Sequence, residues 1–305
     1  MGITGINDEE EVKSNLKIEI TDESGTRVFN KDLNTDWKSG VSRLFKQELK
    51  TRGWSGNYEV SAVVTSENGK VINENTAKFS VFNEDSLTTT DIKIAVIDPD
   101  RVLSGFLKKS GIQVLRFSSS TDVSIPVLVG GTTPKSNTDK KALDGLFDFA
   151  KKGGTVVYLK PTNEDTDGSD PYFPITADAH PAVGLWTCIP HMVHHHPIFE
   201  GLPSGKMMRG IYENVWPRTT LRNLKGTESS AVETIVGTVA FDWFSVEHKM
   251  NYSGPGSSWW GSDLAIIPSG RGRYVISQLR LLENLGKDPV ADKILLNMIN
   301  FLAKN

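Results

Sequence analysis

The sequence predicts two folded parts, a small all-β sandwich followed by an α/β domain on a doubly wound parallel sheet. Residues 13–82 carry apolar side chains at a period of two, broken by turn signals. From Asp91 onward, compact apolar runs alternate with stretches of helical period. With 305 residues, the chain is too long for one average domain and comfortable for two.

The opening segment, 1–12, is acidic and polar and is expected to be a disordered tail. In "LKIEITDESG", Leu16, Ile18 and Ile20 alternate with polar neighbours, which marks a strand with one buried face. Ser24-Gly25 is a turn signal, and "TRVFNKDL" continues as a second strand. Asn68-Gly69 splits the stretch 56–82 into two strands, because Asn-Gly suits the positive φ angles of a tight hairpin. Short strands with regular turns predict a small β-sandwich over 13–82. Residues 83–90, "NEDSLTTT", read as a linker to the α/β domain at 91–305.

There, "IKIAVID" is a continuous apolar run, as expected for a strand buried on both faces. "RVLSGFLKKSG" reads as a short helix closed by Gly111, and "IQVLRFS" and "IPVLVGG" read as strands. "DKKALDGLFDFAKKGG" reads as one helix, with Leu143, Leu146, Phe147 and Ala150 on its inner face. "TVVYL" is the next strand. At the C-terminal end Asp288 is placed to cap a helix with Pro289 at its first position, and Val290, Ile294, Met298 and Phe301 form its inner stripe. Ligands of such sheets sit beyond the carboxyl ends of the strands.

Composition excludes several classes of function. The net charge of −3 comes from 34 basic and 37 acidic residues without a basic run, so no nucleic-acid footprint is present. No apolar segment is long enough to suggest a membrane helix. The N-terminus lacks the positive start and apolar core of a signal peptide, so a cytoplasmic chain, or a piece of a longer secreted protein, is expected. Cys188 is the single cysteine, which excludes a disulfide framework and a thiolate metal cluster, and its apolar surroundings suit a buried small hydrophobe.

Several stretches together are similar to the class I glutamine amidotransferase-like, flavodoxin-like fold. They are "IPVLVGG", "LFDFAKKGGTVVYL", "HHHPIFEGLP" and "GRGRYVISQLRLLENLGKDPVADKILLNMINFL". The resemblance is narrowest to the version in the C-terminal region of glycoside hydrolase family 2 proteins and to the trehalose-utilisation-like group. It implies an immunoglobulin-like module ahead of this domain and an accessory, carbohydrate-associated role beside the other domains of a larger glycosidase. A working amidotransferase of this kind needs a cysteine on the turn after a central strand and a histidine after a late one. Here "TVVYL" runs into Lys160-Pro161-Thr162, and Arg280 stands near the place of the histidine. Arginine stays protonated and cannot activate a thiol, so the resemblance implies the scaffold without the amidotransferase chemistry.

Other residues offer other chemistry. His191, His194, His195 and His196 crowd one segment, but successive residues of an extended chain face opposite ways. Three converging metal ligands are therefore not expected, nor is a cofactor. The histidines suit acid–base work, orientation of a polar ligand, or a loop of hydrogen-bonded imidazoles. In "GPGSSWWGSD", Ser257, Ser258 and Ser262 could serve a serine hydrolase with His194, His195 or His196 as base. The strand–turn–helix signature G-x-S-x-G is absent, and glycine-rich serines are commonly just loop. Trp259 and Trp260 could stack on sugar rings or seal a sheet edge, and Asp263 could accept hydroxyl hydrogen bonds. Asp242, Trp243, Glu247 and His248 lie close by in sequence. Lys160, Gln278, Arg280 and Glu283 follow strands and so belong to the ligand crevice; Arg280 is expected to be held by an acid, Glu283 or Asp263. Two functions result: a carbohydrate-binding accessory module, and an esterase acting on small or sugar-linked esters. A second copy of the chain is a further candidate partner.

Overall fold

The computed structural model describes residues 1–83, 92–159, 171–174, 176–181, 190–225, 232–241 and 258–304. At 176–181, 223, 225, 240, 241, 258 and 259 it describes the backbone alone. The chain forms two compact units, Met1–Ser86 and Leu87–Asn305.

The first unit is all-β, with β1 (Gly2–Asn7), β2 (Val12–Asp22), β3 (Arg27–Trp37), β4 (Gly40–Lys46), β5 (Gly56–Ser66) and β6 (Val71–Val81). One antiparallel sheet has the order β3-β2-β5-β6, and β1 pairs antiparallel with β4 in a second. The alternation in β2 works as its sequence predicts: Leu16, Ile18 and Ile20 are fully buried. Leu16 lies between Leu33 and Val64, and Trp37, Leu44 and Phe45 pack into the same core. Gly25 and Gly69 both carry positive φ at their hairpin turns.

The N-terminal segment differs from the expected tail, since residues 2–7 form β1. The reason is steric and non-local. A Cβ on Gly5 would lie 2.6 Å from Trp37 Nε1 and 2.8 Å from Leu44 Cδ1. The bare backbone of β1 thus lets an indole, contributed 32 positions later, lie against it. Polarity alone hides this.

The second unit contains β7 (Lys93–Ile97), α1 (Val102–Lys109), β8 (Gln113–Arg116), β9 (Val127–Val129), α2 (Asn137–Asp144), α3 (Leu146–Lys151) and β10 (Thr155–Tyr158). There follow β11 (Thr176–Pro181), β12 (His191–Val193), β13 (Lys206–Met207), β14 (Thr219–Lys225), β15 (Glu233–Phe241), β16 (Ser258–Ser269) and β17 (Gly272–Ser277). The unit ends with α4 (Leu281–Asn284) and α5 (Pro289–Lys304).

These strands form one mixed sheet of eleven strands. Its parallel core runs β8-β7-β9-β10-β17. From β17 the sheet turns antiparallel through β16, β15, β12 and β13, with β14 and β11 branching from β16. The doubly wound, mostly parallel sheet expected from the sequence is thus the core of a larger mixed sheet. β7 steps to β8 in one direction and β9 to β10 in the other, so right-handed crossovers place α1 and the α2–α3 pair on opposite faces. Ala95, Val127, Val129, Val156 and Tyr158 pack with Leu143, Leu146 and Phe149 on one of them. The alternate residues Ile94, Val96, Leu128 and Val157 point the other way and are equally buried.

The expected single helix at 139–154 is two. The path breaks at Gly145, and the break advances the helical phase. Phe149 takes the buried place expected of Phe147, which is only partly buried. In α5 the Asp288 carboxylate accepts from Val290 N at 2.8 Å, as its capping position predicts. Asn297 Nδ2 donates to the carbonyls of Ile198 and Glu200, tying the turn Pro197–Phe199 to α5. No helix among the described residues is long and apolar enough to cross a membrane.

Candidate functional site

Three features of the second unit gather chemistry. The first is a buried polar network in the antiparallel half of the sheet. His191 on β12 lies opposite Thr238 on β15, and Asp263 comes from β16. His191 Nδ1 is 2.7 Å from Asp263 Oδ2, and the Thr238 hydroxyl bonds to both. Both members of the pair are completely buried. A carboxylate beside Nδ1 accepts the hydrogen bond from that ring nitrogen and fixes the orientation of the imidazole, with Nε2 on its far side. His191 Nε2 and Asp263 Oδ1 have no hydrogen-bond partner among the described residues. Trp216 stands edge-on to the imidazole at 5.5 Å. Gln278 joins the network just beyond β17: its backbone N donates to the Asp263 carbonyl at 2.6 Å, and its side-chain oxygen accepts from Thr219. The structure therefore brings Asp263 and Gln278 together. His191 is the residue that the sequence ranks too low. Its distinguishing sign, burial between two strands, depends on contacts 47 and 72 positions away.

The predicted Ser/His group is more dispersed. Ser262 is buried, bonds to Thr234 at 2.8 Å, and neighbours Asp263 on a strand, so it faces away from His191. His194 is exposed, and His195 bonds to Ser204. His196 Nδ1 accepts from Ile198 N as the cap of the short turn, while its ring meets Phe301 at 4.6 Å. Burial holds the His196 pKa below the usual imidazole range, and the nearby Glu233 opposes this. Of Ser258 only the strand backbone is described. Ser257, Lys160, Cys188, Asp242, Trp243, Glu247 and His248 lie outside the described residues. Arg280 Nη2 donates to the Asn214 carbonyl at 2.8 Å, and Arg280 Nε lies 3.6 Å from Glu283, which also faces Arg218. Asp263 is committed to His191 instead. Among the described residues, no three His, Cys, Asp or Glu side chains are grouped to hold a metal ion.

The second feature is an open sheet face. Residues opposite each other on neighbouring strands share a face. Met207 pairs with Met192, Met192 with Gly237, and Val239 with Trp260. Trp260 is 71% exposed, and Met192, Met207 and Val239 are also exposed. The segment expected as a loop before a strand is itself part of strand β16, which is why Trp260 stands on a face of the sheet. Backbone alone is described for its neighbour Trp259. Gly261 reads as a loop glycine in sequence, yet it lets β14 pass close: a Cβ there would lie 2.7 Å from Thr220 Oγ1. At the rim, His194 Nε2 lies 3.9 Å from where a Cβ on Gly237 would be.

The third feature is a crevice of about 660 Å³ where β7, β8 and β9 end, lined by Asp98, Arg101, Lys108, Arg116 and Lys135 among others. None of these residues stands out in the sequence as a site.

No family model matches the sequence, and no curated protein matches it. Solved structures with a similar chain trace include an exo-chitosanase of Amycolatopsis orientalis, at 17% identity and a TM-score of 0.24. That match covers 27% of this chain and spans only 10% of the chitosanase. A cytoplasmic protein of Salmonella typhimurium LT2 matches over 81% of this chain and 96% of its own, at 10% identity and a TM-score of 0.38. An exo-beta-1,4-mannosidase of Opitutaceae bacterium strain TAV5 matches over 65% of this chain and 30% of its own, at 8% identity and a TM-score of 0.35. The chain thus has a distant likeness to regions of glycosidases, and likeness of this order does not transfer an activity.

Proposed function

We propose that the chain is a non-catalytic, carbohydrate-binding accessory module of a glycoside hydrolase family 2-like protein. In this reading an immunoglobulin-like sandwich precedes a flavodoxin-like, class I glutamine amidotransferase-like domain that has lost its chemistry. The observation that carries it is the exposure of Trp260, 71% open on a sheet face beside Val239, Met192 and Met207. Folded proteins seldom spend an exposed tryptophan within a contiguous apolar patch without a ligand for it. The C–H faces of a pyranose ring are apolar and carry slight positive charge, which suits the electron-rich face of an indole. His194 at the rim can hydrogen-bond a ring hydroxyl.

Two further points support the reading. The parallel strands, taken in chain order, lie 2-1-3-4-5, the flavodoxin arrangement. The sole cysteine, Cys188, does not follow "TVVYL", and Arg280 occupies the neighbourhood where the base would be needed.

Calorimetry against a panel of mono- and oligosaccharides tests the proposal. Trp260→Ala should weaken sugar binding at least tenfold, about 1.4 kcal/mol. Its melting transition should hardly move, because exposed side chains contribute within about 0.5 kcal/mol. Unchanged sugar affinity in Trp260→Ala would refute it. A second reading, ester hydrolysis, is favoured by one feature, the His191–Asp263 pair, whose Nε2 has no hydrogen-bond partner among the described residues. It requires p-nitrophenyl acetate turnover that disappears in His191→Gln and in a variant of Ser257 or Ser258, since Ser262 faces away from His191.

A further inference from the structure

The order of the parallel strands creates a crevice separate from the sugar face. The chain leaves β7 for β8 on one side, and β9 lies on the other, so the connections diverge over opposite faces. A gap opens at such a switch point, beyond the carboxyl ends of the strands. Into it the fold brings Asp98 and Arg101 after β7, Arg116 at the end of β8, and Lys135, Ser136 and Asp139 at the start of α2. The resulting volume, about 660 Å³, lies within the range of small-molecule sites.

Three observations define what fits there. The first is charge. The lining holds four cations, Arg101, Lys108, Arg116 and Lys135, against two carboxylates, Asp98 and Asp139. Arg116 is engaged by Asp139 at 2.9 Å, and Lys135 pairs with Asp100. Arg101 and Lys108 have no acidic partner among the described residues, and against the single carboxylate of Asp98 they leave the crevice positive.

The second is backbone strain. Arg101 has φ 58° and ψ 15°, and it is the one non-glycine residue with positive φ among those described. The left-handed region crowds any Cβ, and glycine would fill this position without strain. Arg101 thus occupies a costly backbone position, and the residue lines the crevice.

The third is an available acceptor. Asp98 Oδ2 takes both hydrogen bonds from Ser104, from its N and its hydroxyl, each at 2.7 Å. Asp98 Oδ1 lies 3.2 Å from where a Cβ on Gly130 would stand, so the absence of a side chain at the end of β9 leaves this oxygen room.

We propose that the crevice binds a small phosphomonoester on a hydroxylated carbon skeleton, a sugar phosphate. The phosphate lies against Arg101 and Lys108, where its oxygens accept charge-assisted hydrogen bonds. A sugar hydroxyl donates to Asp98 Oδ1. Neither contact involves Trp260, so this site and the neutral-sugar face stand or fall separately.

Calorimetry of the full chain at low ionic strength tests it, with glucose 6-phosphate, glucose 1-phosphate, ribose 5-phosphate, inorganic phosphate and glucose as probes. At least one sugar phosphate should bind tenfold or more tightly than inorganic phosphate or glucose. Arg101→Asn, which tolerates the left-handed backbone, and Lys108→Ala should each weaken it at least fivefold, while Trp260→Ala leaves it unchanged. Circular dichroism on the same samples establishes that the variants are folded. Absence of sugar-phosphate binding would overturn the proposal. So would affinity that survives in a folded Arg101→Asn/Lys108→Ala double variant, or inorganic phosphate binding as tightly as every sugar phosphate.

Discussion

Asp263→Ala is the most informative single change in the sheet. It removes the carboxylate from a fully buried pair, leaving the Thr238 hydroxyl without its acceptor and His191 Nδ1 with Thr238 alone. Breaking a buried, hydrogen-bonded pair from one side costs about 3–5 kcal/mol, since the remaining group stays desolvated. For a domain of this size, each kcal/mol lowers the melting temperature by about 2–4 °C, so a drop of roughly 6–20 °C is expected in the transition of the second unit. Thermal and urea unfolding followed by circular dichroism measure it, with the two units allowed separate transitions. His191→Leu should cost a similar amount. The double variant His191→Leu/Asp263→Leu should lose at least about 2 kcal/mol less than the sum of the single changes, because it leaves neither polar group stranded. Additive losses, or an Asp263→Ala cost below about 1 kcal/mol, would refute the account of these residues as one coupled unit.

Gly5→Ala should destabilise the first unit by about 1–3 kcal/mol, because its Cβ would overlap the Trp37 indole and Leu44; urea denaturation of the full chain reads this out. Asp292 is buried on α5, and burial raises its carboxyl pKa, with repulsion from Asp288 adding to the shift and a hydrogen bond from Gly286 N opposing it. The folded state then holds a proton more readily than the unfolded state, so this group's contribution falls as pH rises from the ordinary aspartate range through the raised value. Asp292→Asn should therefore raise the melting temperature at pH 7, with a gain that vanishes in acid where both states carry the proton; a gain independent of pH would exclude the carboxylate as its cause.

Much of the fold is legible where neighbours in sequence decide the outcome. Leu16, Ile18 and Ile20 announce a one-sided strand, Asn68-Gly69 a hairpin, and Asp288-Pro289 the start of α5. Legibility fails where the deciding contact is distant. Nothing around Gly5 says that Trp37 will lie over it. The stretch "SWWGSD" looks like a loop because it mixes glycine, serine and aspartate among aromatics. It is a strand because Asp263 finds His191, and because Gly261 clears a path for β14. The crevice is harder still. Asp98, Arg116 and Lys135 are unremarkable in sequence, and only the strand order at β8-β7-β9 makes them neighbours.

The buried network also explains how the sugar face could be set in place. β15 is irregular where it meets β16, with register shifts between Thr234 and Val236 and between Val236 and Gly237. An irregular antiparallel pair needs something to fix its alignment, because a slip of one residue turns every side chain to the opposite face. His191, Thr238 and Asp263 come from three adjacent strands and satisfy one another only in the observed register. A slip would turn these polar groups toward the other face and carry Trp260 off the open surface. Buried ionic groups of this kind add little to stability and can specify one arrangement over its competitors. The double variant His191→Leu/Asp263→Leu separates these two roles. If the network specifies register, the variant remains folded while sugar affinity falls as it does in Trp260→Ala. Full sugar affinity in that variant would show that packing alone sets the register of β12, β15 and β16.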